Sequence, residues 1–183
     1  MTTTITGAGF AASQLTGALP AISGASLTGV GIQSGVAVAT TSGTSIDFTG
    51  IPAGVKRVTF WAENIRTTGT SYLRWQLRTG SEATTSGYLC VTNEGGAAGQ
   101  SSTSGFDLYR DTAARTAFGA ITFTRVGSGD MWAMTWLFGF DSSYINKGVG
   151  MVTLSGALDG IRLTTAGGSD TYNLGNAGIS WEF

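Results

Sequence analysis

The sequence predicts an all-β chain: an antiparallel β-sandwich, jelly-roll-like, of about 10–11 short strands, with an extended N-terminal arm. Three observations carry this. From about residue 34 onward, apolar residues recur with period two in short runs, the repeat of a half-buried strand. Gly-rich turn signals separate the runs at roughly ten-residue intervals, the spacing of all-β sandwiches. No window offers a helix, because Gly and β-branched residues are too frequent to sustain one.

The elements follow in chain order. Residues 1–33 form the arm, rich in Gly, Ala, Ser and Thr. No charged residue precedes Asp47, and Phe10, Leu15, Leu19, Ile22 and Leu27 are among the scattered large apolar positions. Disordered tails usually carry charge and avoid aliphatics. Two readings stand for the arm: a low-complexity leader, or a segment that becomes ordered when laid on another subunit. Residues 34–183 form the sandwich. Its expected strands are Gly35–Thr40, Ser45–Thr49, Val55–Asn64, Ser71–Arg78, Gly87–Asn93, Gly105–Tyr109, Thr116–Val126, Asp130–Phe140, Gly148–Leu154, Gly160–Thr165 and Gly178–Phe183. The turns between them include Pro52-Ala53-Gly54, Gly95-Gly96, Gly127-Ser128-Gly129-Asp130 and Gly167-Gly168-Ser169.

Alternation assigns faces. Val58, Phe60 and Ala62 share one side of their strand, and Thr59, Trp61 and Glu63 the other. Leu73, Trp75 and Leu77 alternate with Tyr72, Arg74, Gln76 and Arg78. The run Met131–Phe140 is different. Trp132, Met134, Trp136, Phe138 and Phe140 lie on one side, while Met131, Ala133 and Leu137 lie on the other. A strand apolar on both sides is expected to be covered on both. In a two-layer sandwich the second cover is the N-terminal arm, another subunit or an overlying loop. The candidate partner or subunit interface therefore comprises Phe10, Leu15, Leu19, Ile22 and Leu27 of the arm, with Trp61, Tyr72, Trp132 and Trp136 of the sandwich. Trp75, Trp132 and Trp136 read as core before they read as interface. Exposed aromatics such as Trp61, Tyr72, Tyr109 and Tyr144 suit sugar stacking or a protein interface.

Composition narrows the chemistry. There is no histidine, which removes the commonest general base and the usual zinc ligand. The single cysteine, Cys90, sits in the apolar run Tyr88–Val91, is expected to be a buried, inert thiol, and forms no intrachain disulfide. Eleven carboxylates remain, mostly in turns, with no recognisable catalytic pair. No calcium-loop spacing and no phosphate loop is present, so neither a metal site nor a cofactor site is expected. The net charge of −1 argues against nucleic acid as a partner. The longest apolar stretch, Met131–Phe140, is half the roughly 20 residues of a membrane helix, so no membrane insertion is expected. The first basic residue is Lys56, so a Sec-type signal is not expected either. The chain reads as a soluble non-enzyme.

The stretch Ser45–Phe60, Ser-Ile-Asp-Phe-Thr-Gly-Ile-Pro-Ala-Gly-Val-Lys-Arg-Val-Thr-Phe, resembles a segment of tailed-bacteriophage tail-fibre and related particle-surface proteins. A turn of the same type follows, Asn64-Ile65-Arg66-Thr67-Thr68-Gly69-Thr70-Ser71. Val152–Thr165 resembles the family's closing strands, and Asp170–Gly175 its short last turn. The resemblance spans about residues 36–183 and rests on strands and turns rather than a site. It implies a non-enzymatic β-sandwich on the outside of a virion, with other virion proteins (capsid or tail) as partners, a homotrimeric state, and a host surface glycan as a candidate ligand. Only a short uncharged arm precedes the domain here, which places a capsid-decoration role beside that of a tail-fibre adhesin. The alternative is a stand-alone carbohydrate-binding β-sandwich module.

Overall fold

A computed structural model describes residues 31–94, 99–109, 112–113, 115–141 and 144–183. The five apolar arm positions Phe10, Leu15, Leu19, Ile22 and Leu27 lie outside the described residues. Among the described residues there is no helix, and fourteen strands are present. They are β1 (Gln33–Ser34), β2 (Val38–Ala39), β3 (Ile46–Thr49), β4 (Arg57–Thr67), β5 (Leu73–Thr79), β6 (Glu82–Ala83) and β7 (Leu89–Glu94). The second half contributes β8 (Gln100–Ser102), β9 (Phe106–Leu108), β10 (Ala117–Val126), β11 (Met131–Phe140), β12 (Tyr144–Thr153), β13 (Gly160–Thr165) and β14 (Tyr172–Glu182).

The strands form two antiparallel sheets packed face to face. The larger runs β1-β14-β4-β10-β11-β12-β7-β8, with β2 also on β14; the smaller runs β3-β13-β5-β6, with β9 also on β5. The topology resolves into a frame and an addition. The series β1/β2-β14-β4-β10 opposite β3-β13-β5-β9 is an eight-position double sheet of the jelly-roll kind. Two excursions of the chain, β7 to β8 and β11 to β12, add four strands beyond β10 and widen the larger sheet well past the smaller one. The expected fold class therefore holds, with more strands than the sequence suggested.

The core fills the space between the sheets. Val58, Phe60, Ile121, Phe123, Trp132, Phe138 and Ile179 from the larger sheet meet Phe48, Leu73, Trp75, Leu77 and Ile161 from the smaller. Edge-to-face ring contacts link Phe48, Phe60 and Trp75, with centroids 5.4 and 5.5 Å apart, the arrangement favoured by the ring quadrupoles. Within this core Tyr88 is tied at both ends of its hydroxyl. It accepts from Leu77 N at 2.9 Å and donates to Thr84 O at 3.0 Å, and burial pushes its phenol far above the ordinary range.

Three boundaries differ from the expectation. The first described strand starts at Gln33, one residue before the expected boundary at 34, and pairs with Trp181. β12 begins at Tyr144 rather than Gly148, because Asn146 is buried and acts as a hydrogen-bond acceptor instead of marking a turn. β14 begins at Tyr172, so Tyr172–Gly175, expected to be a closing turn, is strand. Two register shifts against β4 near Leu174 accommodate its Asn and Gly residues there, and Gly175 sits at φ 101° with backbone atoms of Glu63 and Asn64 against it.

Candidate functional site

The outer face of the larger sheet divides by chemistry. Over β4 and β14 it is polar, presenting Thr59, Glu63, Asn176 and Ser180, with Trp61 lying flat across the neighbouring strand. A Cβ at Gly178 would come 2.5 Å from the Trp61 ring, so that glycine is what lets the indole lie down. Trp61 is half-buried, on the outer surface as its alternation indicated.

Over the added strands the same face is apolar. Register places its side chains in rows. Leu89 stands opposite Met151, and Met151 opposite Ala133; Val91 stands opposite Val149, and Val149 opposite Thr135. The next row runs Lys147, Leu137 and Ala120, and the last runs Ile145, Gly139 and Phe118. The large ones are open to solvent: Leu89 65%, Leu137 60%, Ile145 60% and Val149 57%. A well-packed sandwich keeps such residues inside, so an exposed contiguous group is informative where a scattered Leu is not. Two shallow grooves cross the face. One, about 590 Å³, lies between β7, β12 and β11 under Leu89, Val91, Val149 and Met151. The other, about 470 Å³, lies between Phe118, Leu137, Tyr144 and Ile145, and the Phe118 ring rests on Gly139. Lys147 is the sole ionised side chain in these four rows.

The strand that signalled a doubly apolar environment is thus resolved. Trp132, Met134, Trp136, Phe138 and Phe140 face the core, and Met131, Ala133, Thr135 and Leu137 face out. Trp132 and Trp136 are 2% and 6% exposed, so they are core residues and not part of an interface with another chain. The inward side of β11 and β12 is locked by a small polar network. Trp136 Nε1 donates to Asn146 Oδ1 at 2.8 Å, and Thr92 Oγ1 donates to the same oxygen at 2.9 Å. A buried amide so engaged fixes the register of β12 between β7 and β11, since a one-residue slip would turn it outward. That lock decides which side chains of β12 reach the surface.

The smaller sheet carries a different outer face, built of charge pairs. Arg74 makes a two-pronged contact with Asp107, Nε to Oδ1 and Nη2 to Oδ2, both 2.7 Å. Arg162 does the same to Asp47 at 2.7 and 2.8 Å, and Arg78 Nη1 donates to Asp47 Oδ2 at 2.6 Å. Hydrogen bonds from Arg162, helped by the charges of Arg162 and Arg78 and a hydrogen bond from Arg78, hold the Asp47 carboxyl below its usual value against burial, the second-largest influence, which pushes it up. A polar groove of about 320 Å³ runs here between Ser45, Arg74, Gln76, Arg162 and Thr164. Near it, Tyr72 packs on Tyr109 with ring centroids 4.9 Å apart. Tyr72 is half-buried and on this sheet, so the structure does not bring it together with Trp61.

Sequence reasoning missed the main partners on the apolar face. Leu89, Val91, Ile145 and Val149 come from β7 and β12, whose alternation is broken by Gly148, Gly150 and Asn146. The signal was present as every second residue from Ile145 to Met151, read across those interruptions. Cys90 is buried, and burial pushes its thiol up to about 11, in line with an inert side chain. Among the described residues there is no group of three or more His, Cys, Asp or Glu placed to hold a metal, and no helix long and apolar enough to cross a membrane. No family model, no curated protein and no solved structure matches this chain.

Proposed function

We propose that this chain is a non-enzymatic structural component on the exterior of a tailed-phage virion, either a tail-fibre-like adhesin or a capsid decoration protein, that works by assembly. The observation that carries the reading is the bare apolar face of β7, β12, β11 and β10. It is a largely apolar surface whose four rows carry one lysine, with Arg115 and Asp141 at one end beside Tyr144, and it suits another protein surface. The resemblance of Ser45–Phe60 and Val152–Thr165 to phage surface proteins supplies the virion setting. Those stretches form the run from β3 into β4 and from the end of β12 into β13, the frame of the sandwich. The engagement of the carboxylates agrees. Asp47 and Asp107 hold arginines, Asp130 holds Arg125, Asp141 caps Thr116, and Asp159 accepts from Ser81 N. The N-terminal arm is the proposed anchor to the particle.

The test is quantitative detection of this chain on density-purified particles with an antibody raised against it. Stoichiometric presence supports the reading, few copies indicating a fibre and hundreds a decoration. Absence from the particles overturns it. A second reading, a carbohydrate-binding module, is favoured by the polar groove beside Tyr72 and Tyr109, since paired Arg–Asp groups and a phenol ring suit hydroxyl-rich ligands. Binding to a glycan array by a monomer, lost on Tyr72→Ala, separates it from the first.

A further inference from the structure

We infer that the outer face of β7, β12, β11 and β10 packs against the same face of another copy of this chain. The inference names the occupant of the surface on which the assembly reading rests. Area comes first. Four adjacent strands with a spacing of about 4.8 Å and a rise of about 3.3 Å per residue cover roughly 600 Å² of projected face. That is at the top of what a monomer leaves bare. Two such faces together reach the low end of stable interfaces, at about 1,200 Å².

Chemistry then selects among occupants. The face lacks the basic rim that attracts anionic lipid, so a membrane surface has nothing to hold it there. Its charges are few and mixed, Lys147 within the rows and Arg115 with Asp141 at the Tyr144 end, so it offers neither a cluster of carboxylates to a basic partner nor a cluster of lysines to an acidic one. Charge-depleted centres typify interfaces between identical subunits, which are the commonest soluble assemblies. Lys147, opposite Leu137 in the register, has a flexible stem that can pack while its ammonium group turns to water. Shape agrees as well. Two sheet faces with side chains in alternating rows stack about 10 Å apart. The two grooves beside Val149 and Leu137 are the places where ridges from the opposite face would seat. Three of the four added strands, β7, β11 and β12, thereby acquire a purpose: with β10 they carry an interface that the eight-position frame alone does not.

Sedimentation of the full-length chain over a concentration series tests this, together with Val149→Glu and Leu137→Glu. Val36→Glu, at an exposed apolar site away from the face, is the control. The wild-type chain is expected to be a closed oligomer at about 10 μM, and each face substitution to weaken it by about 100-fold or more, as a charge buried at an interface centre does. The control should assemble normally, and all variants should keep their far-ultraviolet dichroism. A wild-type monomer, or an oligomer as insensitive to Val149→Glu as to Val36→Glu, overturns the inference. Fluorescence of an apolar dye then identifies the other occupant. A monomer dark to the dye until residues 2–30 are deleted has its own N-terminal segment on the face, and a monomer that binds the dye directly keeps the face for a different protein. Either result leaves the virion reading to the particle measurement. Conversely, a face-dependent oligomer absent from particles would remove the virion reading and leave this inference standing.

Discussion

Replacing Asp47 by Asn removes the charge on which two arginines of the smaller sheet converge. Three hydrogen bonds are involved, from Arg162 Nε and Nη2 at 2.7 and 2.8 Å and from Arg78 Nη1 at 2.6 Å. They are unequal. Arg162 and Asp47 are 32% and 31% exposed, so that pair is worth at most about 1 kcal/mol after solvent screening. Arg78 is 7% exposed and loses its counter-charge inside the sheet, where a charge-assisted bond contributes about 1.5–3 kcal/mol. Asn retains one acceptor, so the net destabilisation should be about 2–3 kcal/mol, or a fall in melting temperature of about 5–10 °C for a domain of this size. Acid should erase the difference. Asp47 titrates below its ordinary 3.8 in the folded chain, so its stabilisation is complete above that pH and is lost as pH falls through the lowered folded value. Calorimetry of both proteins from pH 7 down to about pH 3 checks this. A gap under about 0.5 kcal/mol at neutrality, or one that widens in acid, would refute the reasoning.

Other outcomes follow from the same geometry. Asn146→Ala leaves Trp136 Nε1 and Thr92 Oγ1 without their shared acceptor and should cost about 2–3 kcal/mol in urea unfolding; a cost near zero would show that the network does not fix β12. Gly148→Val should be more damaging than Gly150→Ser at the protein level of soluble expression. A Cβ at 148 would overlap the buried Trp136 ring, and the core has no room to move that ring aside, so overpacking of about 1–3 kcal/mol is expected from the first methyl alone. Cys90 should resist a disulfide reagent at pH 8 in the folded chain and react at once in denaturant, because its thiol is buried and titrates near 11; rapid native-state labelling would contradict that placement.

Much of the frame could be read from the chain. β13 falls at Gly160–Thr165 as expected, and β4, β5, β10 and β11 shift by no more than three residues at either end. These strands alternate cleanly because one side of each faces the core. The short strands β6 and β8 were illegible, since two or three polar residues such as Glu82–Ala83 carry no period. β12 and β14 were half-read for a related reason. Gly148, Gly150 and Gly175 look like turn residues in isolation, yet two of them make room for the Trp136 and Phe106 rings and the third for a bulge. The contacts at Gly150 and Gly175 are between strands distant in sequence, and the one at Gly148 depends on the register of β12 against β11. The candidate surface suffered in the same way. Met131–Phe140 was apolar on both sides, and the weight of Trp132 and Trp136 already favoured their side as the core. The heavier side, with Trp132 and Trp136, turned inward to fill the gap between two sheets. The lighter side, with Leu137, was left to the surface, where it joins residues from β7 and β12 whose neighbourhood depends on register.

The most direct measurement is the rate at which a thiol placed in the middle of the apolar face is labelled as protein concentration rises. Val149→Cys puts that thiol between Val91 and Thr135, and the native Cys90, buried with its thiol pushed up to about 11, stays silent. Maleimide labelling should be fast in dilute solution and slow progressively as copies cover one another, with the midpoint matching the dissociation constant from sedimentation. Labelling at one fast rate across the whole concentration range, in a chain that sediments as an oligomer, would contradict the account, because the subunits would then meet through some other surface.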